Sequence, residues 1–279
     1  MDHLPTGWDA AALDAALDVA IDAADAAERI HRAFQGERFT TRTKSTEVDL
    51  VTEVDTRSEA AIRERIQARY PDHAILGEEQ GQDVEARCRW IVDPLDGTVN
   101  YAHGFPFYCV SIALEIDGEV VLGVVIDTAH GERFTAVRGR GAFANGRRLH
   151  VSDTSELRAS LVSTGFAYAP EVARANLPSF ERALTCTRAL RRAGAAALDI
   201  CYVAAGRADA FWELRLNAWD VAAALLIVRE AGGTVTGPDG SPYRWDHDAF
   251  VASNGAVHAQ LLDTLRLGEA VAALNAPPS

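Results

Sequence analysis

The stretch Trp90–Asn100, WIVDPLDGTVN, places the tightest constraint on how this chain can fold. Trp90, Ile91 and Val92 begin an apolar strand. Asp93 and Asp96 follow, separated by Pro94 and Leu95, and the chain turns at Gly97 into Thr98. Pro94 cannot donate to a ladder, and Gly97 reaches backbone conformations other residues avoid. The pattern predicts two carboxylates at a strand end, held by a stiff turn. Two acids that close repel each other unless a cation shares them. Oxygen ligands of this kind suit Mg²⁺ or Mn²⁺. Gly97 and Thr98 offer backbone N–H groups and a hydroxyl, which suit a phosphate. Standing alone, the motif reads more simply as an ordinary Asp-rich turn.

Before this turn, spacing predicts a helix over 9–34. Leu13, Leu17, Ile21, Ala24, Ile30 and Phe34 form its apolar side, and Asp14, Asp18, Asp22 and Asp25 a solvated face. Gly36 stops it. A polar connector carries Lys44 and Asp49 to Asp55, which reads as the N-cap of a second helix over 56–69. Ala74–Glu79, AILGEE, is a short strand ending in two acids. After the turn, Phe107–Ile126 alternates about Asp117-Gly118, and Asn145-Gly146 marks another hairpin within 133–149. Beyond Val151 the pattern changes. Short strands at 161–163, 208–213 and 251–253 alternate with helical stretches at 194–205, 219–230 and 257–265, which predicts an α/β half. The expected division is 1–150 and 151–279.

Composition removes several classes of function. Hydrophobic residues make up 48% of the 279, too many for a disordered chain. No run of about 18 uncharged apolar residues is present, so no membrane helix is expected. The acidic N-terminus lacks a basic-then-apolar leader, which predicts a cytoplasmic protein. Net charge is −13, which argues against nucleic acid as a scaffold partner. It would also repel a phosphate, unless bound cations invert the local field. Cys88, Cys109, Cys186 and Cys201 show no metal or redox spacing and read as buried free thiols.

Two stretches carry a resemblance. Asp93–Thr98, DPLDGT, resembles one signature of the inositol monophosphatase family. Asn217–Gly233, NAWDVAAALLIVREAGG, resembles the family's C-terminal signature. The G-E-E at 77–79, the connector with Lys44 and Asp55, and R-x-G-x-A-A at Arg192–Ala197 extend the match over most of the chain. The resemblance implies a layered α-β-α-β-α sandwich of the sugar-phosphatase type. An antiparallel sheet with two helices would form the N-terminal half, and a mixed or parallel sheet with helices the C-terminal half. It also implies a homodimer.

It further implies hydrolysis of a phosphate monoester by an activated water, most simply inositol 1-phosphate. Glu78, Asp93 and the carbonyl of Leu95 would hold a first Mg²⁺, and Asp93, Asp96 and Asp220 a second. A third, weaker ion would sit near Glu78. Mn²⁺ would substitute and Li⁺ inhibit. Glu78, with Thr98 paired to Asp55, would position the water, and Lys44 would lend electrostatic support. Gly97 and Thr98 would grip the phosphoryl oxygens, Asp96 and Asp220 would also contact the substrate, and Gly194, Ala195, Ala196 and Glu213 would meet its alcohol. Many members carry Ser or Thr where this chain has Ala195, which weakens the inositol preference. Histidinol phosphate, fructose 1,6-bisphosphate and 3′-phosphonucleotides remain alternative substrates, and a non-catalytic binding protein on the same fold remains an alternative class.

Overall fold

The computed structural model describes residues 5–36, 41–43, 50–81, 86–245 and 247–275. Lys44 and Asp49 lie outside these residues.

The first half opens with helix α1, Ala10–Phe34, capped by Asp9, whose side chain accepts from the Ala12 N–H at 2.8 Å. Its buried face is Leu13, Ala16, Ala20, Ala23, Ala24, Ala27 and His31. The expected stripe of larger residues is therefore mostly alanine, which lets the helix lie close to its neighbours. The aspartates do sit on the outer side, but three meet arginines from other elements: Asp14 with Arg140, Asp22 with Arg65, and Asp25 with Arg133.

The supposed connector contains two short antiparallel strands, β1 (Thr41–Thr43) and β2 (Leu50–Thr52). Helix α2 begins earlier than expected, Glu53–Arg69. Thr52, not Asp55, is its N-cap. Asp55 occupies the third helical position of a capping box, accepting the Thr52 N–H at 2.8 Å while the Thr52 hydroxyl accepts from Val54.

A seven-stranded sheet follows: β3 (Ala74–Gly77), β4 (Cys88–Asp96), β5 (Cys109–Ile116), β6 (Glu119–Asp127), β7 (Glu132–Val137), β8 (Gly141–Ala144) and β9 (Arg147–Arg148). Its strands lie in sequence order, antiparallel except for the β3–β4 pair. The Asp117-Gly118 and Asn145-Gly146 turns have positive φ at both residues, as tight hairpins require. The short helix α3, Thr98–Ala102, leaves the end of β4.

The second half adds α4 (Pro170–Cys186), α5 (Ala196–Ala204), α6 (Ala218–Glu230), α7 (His258–Leu265) and α8 (Leu267–Leu274). Its five-stranded mixed sheet has the order β11-β10-β12-β14-β13. These strands are β10 (Leu161–Thr164), β11 (Ala189–Arg191), β12 (Ala210–Leu214), β13 (Thr234–Thr236) and β14 (Ala249–Ser253). β11, β13 and α8 were not expected; the two strands are three-residue edge strands with little period to read.

The layers are α1 and α2, the seven-stranded sheet, α5 and α6, the five-stranded sheet, then α4, α7 and α8. This is the anticipated α-β-α-β-α sandwich. The middle helices are almost wholly apolar because sheets cover both sides. Gly123 shows how tightly they fit: a Cβ there would lie 2.7 Å from the Ala223 carbonyl oxygen on α6. Cys109 and Cys201 are buried free thiols, whereas Cys88 and Cys186 are half-buried. Among the described residues, no helix is long and apolar enough to cross a membrane.

Candidate active site

The anticipated acids meet in one open cleft of about 470 Å³, a volume suited to a small ligand. Its floor comes from β4. Pro94 lies within that strand, past the residues paired with β3 but inside the ladder with β5, which it would normally break. A register shift resolves this: Asp93 pairs with Ser111 and Asp96 with Cys109, so β4 spends one residue more than β5. The bulge has a second effect. Residues three apart on a regular strand point to opposite faces, and the extra residue turns Asp93 and Asp96 to the same cleft. The Asp93 carboxylate accepts the Leu95 N–H at 3.0 Å, which stiffens the turn.

Gly97 follows with φ +89°, a left-handed conformation that starts α3. A Cβ there would come within 2.9 Å of the Phe107 carbonyl and 3.2 Å of the Ala195 methyl. Glycine is thus required by both backbone and space. The Thr98 hydroxyl has two acceptors in reach, Asp55 at 2.9 Å and the Leu95 carbonyl at 3.0 Å. Asp55 does not itself line the cleft; it acts on it through Thr98.

Two helix starts bring in the other half. Asp220 sits in the first turn of α6, where its carboxylate accepts the Asn217 N–H at 2.7 Å in a second capping box. Ala195 is the N-cap of α5 and has no side chain able to cap. Asp96 supplies the missing acceptor, taking the Ala197 N–H at 2.8 Å. Glu213, on β12, lies flush against Gly165, where a Cβ would fall 1.9 Å from its carboxylate. Glu78, Leu95, Gly194 and Ala196 complete the expected lining.

So many buried carboxyl groups in one cleft disfavour one another's ionisation. Burial and the neighbouring Glu78, Asp96 and Asp220 push Asp93 well above the usual range. Burial raises Asp96 to about 7, against the lowering effect of the Ala197 N–H. Asp220 rises through burial and Glu78, and Glu213 through burial, Asp220 and Asp199. Burial raises Asp55, opposed by its hydrogen bonds to Thr52 and Thr98.

This donor set fits a hard divalent cation, which would relieve the repulsion. Among the described residues, no three acidic, His or Cys side chains already stand in ligating geometry about one point. The acids are gathered in the cleft rather than closed around a centre.

Several site residues escaped sequence reasoning. His31 on α1 is fully buried and held neutral, its pKa pushed down to about 4 by burial. Its Nε2 lies 2.9 Å from the Pro94 carbonyl, which can only accept, so Nε2 carries the proton and Nδ1 accepts from the Thr128 hydroxyl at 3.0 Å. Asn100 donates to the Ala193 carbonyl at 2.9 Å and so ties α3 to the Gly194 loop. Asp199 lines the Glu213 end of the cleft, raised to about 8 by burial, and Arg192 lies there too. His31, Asn100 and Asp199 act across long sequence separations. Only Arg192, inside the R-x-G-x-A-A match, lay within a readable motif.

The five-layer sandwich, with an acidic cleft at its strand ends and helix starts, has the layout of the sugar-phosphatase fold class. The inositol monophosphatase family model matches residues 12–269, and the chain belongs to that family. Phosphatase IMPL1, chloroplastic, of Arabidopsis thaliana is 42% identical over 226 residues; the match covers 78% of this chain and only 61% of that one. The inositol-1-monophosphatase of Synechocystis is 46% identical over 220 residues, covering 78% of this chain and 77% of the relative. Nus factor SuhB of Pseudomonas aeruginosa is 42% identical over 259 residues, covering 90% and 95%. Among solved structures, the inositol monophosphatase of Anabaena (Nostoc) is 39% identical with a TM-score of 0.83, covering 91% and 96%. A staphylococcal inositol monophosphatase-1, 27% identical with a TM-score of 0.81 and covering 93% and 96%, was solved as an inhibitory complex after soaking in LiCl.

Proposed function

We propose that this enzyme hydrolyses polyol phosphate monoesters with Mg²⁺, with inositol 1-phosphate the leading substrate. The observation that carries the proposal is the gathering of Glu78, Asp93, Asp96 and Asp220 in one cleft beside Gly97 and Thr98. Glu78, Asp93, Asp96, Asp220 and the Leu95 carbonyl would hold the cations. Bound there, such cations would supply charge neutralisation and activation of water at neutral pH. Gly97 and Thr98 would hold the phosphoryl oxygens. Donating its hydrogen bond to Asp55, the Thr98 hydroxyl would offer a lone pair that accepts from the attacking water, and Asp55, raised by burial, is suited to take up the water's proton by way of Thr98. Residues 1–150 would thus carry most cation ligands, and 151–279 the alcohol pocket and Asp220. By family resemblance Mn²⁺ would replace Mg²⁺, Li⁺ would inhibit, and the enzyme would act as a cytoplasmic homodimer.

The alcohol end favours a hydroxyl-rich substrate. Glu213 and Asp199 both line it, beside Arg192, and together these groups can accept from and donate to hydroxyls. Phosphate release from a panel of inositol, glycerol, histidinol and fructose phosphates, with and without Mg²⁺, tests the assignment. Release from none of them, or equal release without Mg²⁺, would overturn it.

Ala195 separates two contributions to specificity. Its own side chain does not cap α5, where Asp96 already takes the Ala197 N–H, so a hydroxyl there could serve a remaining N–H of the helix, the substrate, or both. Ala195→Ser is expected to stabilise the fold by at most about 1 kcal/mol through capping. It should also raise kcat/KM for inositol 1-phosphate over 2-glycerophosphate by about three- to tenfold, one neutral hydrogen bond's worth. Glu213→Gln should lower that ratio. A rise in Tm with no change in ratio would confine the hydroxyl to the helix.

A further inference from the structure

We propose that Glu59, on α2, is a positioning residue for Glu78, acting through the backbone that follows it. This rests on the proposed role of Glu78 as a cation ligand.

Glu59 is fully buried, far from either signature. Its carboxylate is committed to the loop leaving β3. One oxygen accepts the Glu79 N–H at 2.7 Å. The other accepts the Gln80 N–H at 3.2 Å and the Arg63 Nε–H at 2.7 Å. Arg63 continues the clamp, donating to the Gly81 carbonyl at 3.1 Å. The two N–H groups immediately after Glu78 are therefore collected by one buried anion. On the near side, the Glu78 N–H donates to the Val92 carbonyl at 3.2 Å, one residue before Asp93. Glu78 is thus gripped from the β4 side and from α2, with its side chain lining the cleft.

Gly77 supports the same reading. Its φ is unexceptional, so no turn demands glycine there. A Cβ would instead fall 2.4 Å from one Glu59 carboxylate oxygen and 2.8 Å from the other. The glycine of G-E-E is what lets Glu59 pass beneath the strand and reach the N–H groups beyond it. A salt bridge serving only to join α2 to the sheet would not need the carboxylate under the one residue preceding Glu78.

Glu59→Gln keeps the side chain's size but turns an amide NH₂ towards donors from Arg63 and Gln80 or from Glu79, so the clamp opens on one side. Gly77→Ala leaves the carboxylate intact and displaces it. Groups that orient metal ligands typically contribute 10- to 100-fold in metal affinity. The test is Mn²⁺ binding to the full-length protein by calorimetry, alongside Tm and Mg²⁺-dependent kinetics. Both variants should bind Mn²⁺ about 10-fold or more weakly. Their Mg²⁺ requirement should rise in step, while the substrate KM at saturating Mg²⁺ stays near wild type. Glu64→Gln, exposed on the same helix, is the control and should match wild type. If wild type binds Mn²⁺ and the folded variants bind it equally well, whatever their Tm, Glu59 serves the fold alone and the inference fails. If wild type itself binds no Mn²⁺, the cation site fails and this inference with it.

Discussion

Asp93→Asn is expected to abolish most activity while making the cation-free protein more stable. The activity loss should be roughly 10³-fold or more in kcat/KM, since a preorganised charge at the reacting centre is removed. That is at least about 4 kcal/mol of transition-state stabilisation. The gain in stability follows from burial. Asp93 carries a pKa pushed well above normal by its surroundings, so its charge opposes folding when no cation is present. Asparagine keeps an oxygen able to accept the Leu95 N–H. Asp220→Asn should behave alike, because the amide oxygen can still accept from Asn217 and keep α6 capped. Asp14→Asn should leave kcat/KM within about twofold, because its exposed pair with Arg140 is worth at most about 1 kcal/mol. Activity assays and thermal melts in EDTA check all three. A variant of Asp93 that lost activity only by unfolding would contradict the assignment.

Removal of divalent cation should abolish turnover and lower Tm, with a pH dependence of defined sign. Asp96 and Asp199 have folded pKa values of about 7 and about 8, above the ordinary 3.8. Asp93 and Asp220 are raised in the same direction. The fold therefore holds protons that the unfolded chain gives up above about pH 4. Without cation, each such group costs nothing below the unfolded value, and its penalty grows until pH passes the folded one. A cation that binds the ionised acids removes the penalty for its ligands. At about 100 times Kd, binding contributes about 2.7 kcal/mol. For a chain of this size that is on the order of 5–10 °C in Tm. The Mg²⁺-induced rise should be larger at pH 8 than at pH 5. Melts with Mg²⁺ and with EDTA at the two pH values measure it; an equal rise at both would mean the buried acids do not bind the ion.

The parts legible in the sequence were those whose chemistry lies within a few residues of chain. DPLDGT carries its proline, glycine and two acids side by side, and the hairpin turns announce themselves through Asp117-Gly118 and Asn145-Gly146. The first half was read closely enough to give the sheet and both covering helices. What stayed hidden depends on tertiary approach. His31 meets Pro94 across 63 residues, and Asn100 meets Ala193 across 93. Neither has local spacing to betray it. Asp55 was placed at a helix boundary, three residues late, because Thr52 and Asp55 are both good capping residues and only the backbone decides between them. The α1 face was misjudged in size because hydrophobicity favours large residues, while close packing chose alanine.

Asp55 and Asp220 each occupy the third position of a capping box, so each spends one oxygen on the first turn of its own helix. Helix ends are where native helices fray first. Here fraying of α2 would release Asp55 from Thr52, and fraying of α6 would release Asp220 from Asn217. These two acids and the helix starts therefore come and go together. In hydrogen-exchange terms, the amides of Thr52 and Asn217 become reporters of site integrity, protected when the acids are in place and exchanging when they are not.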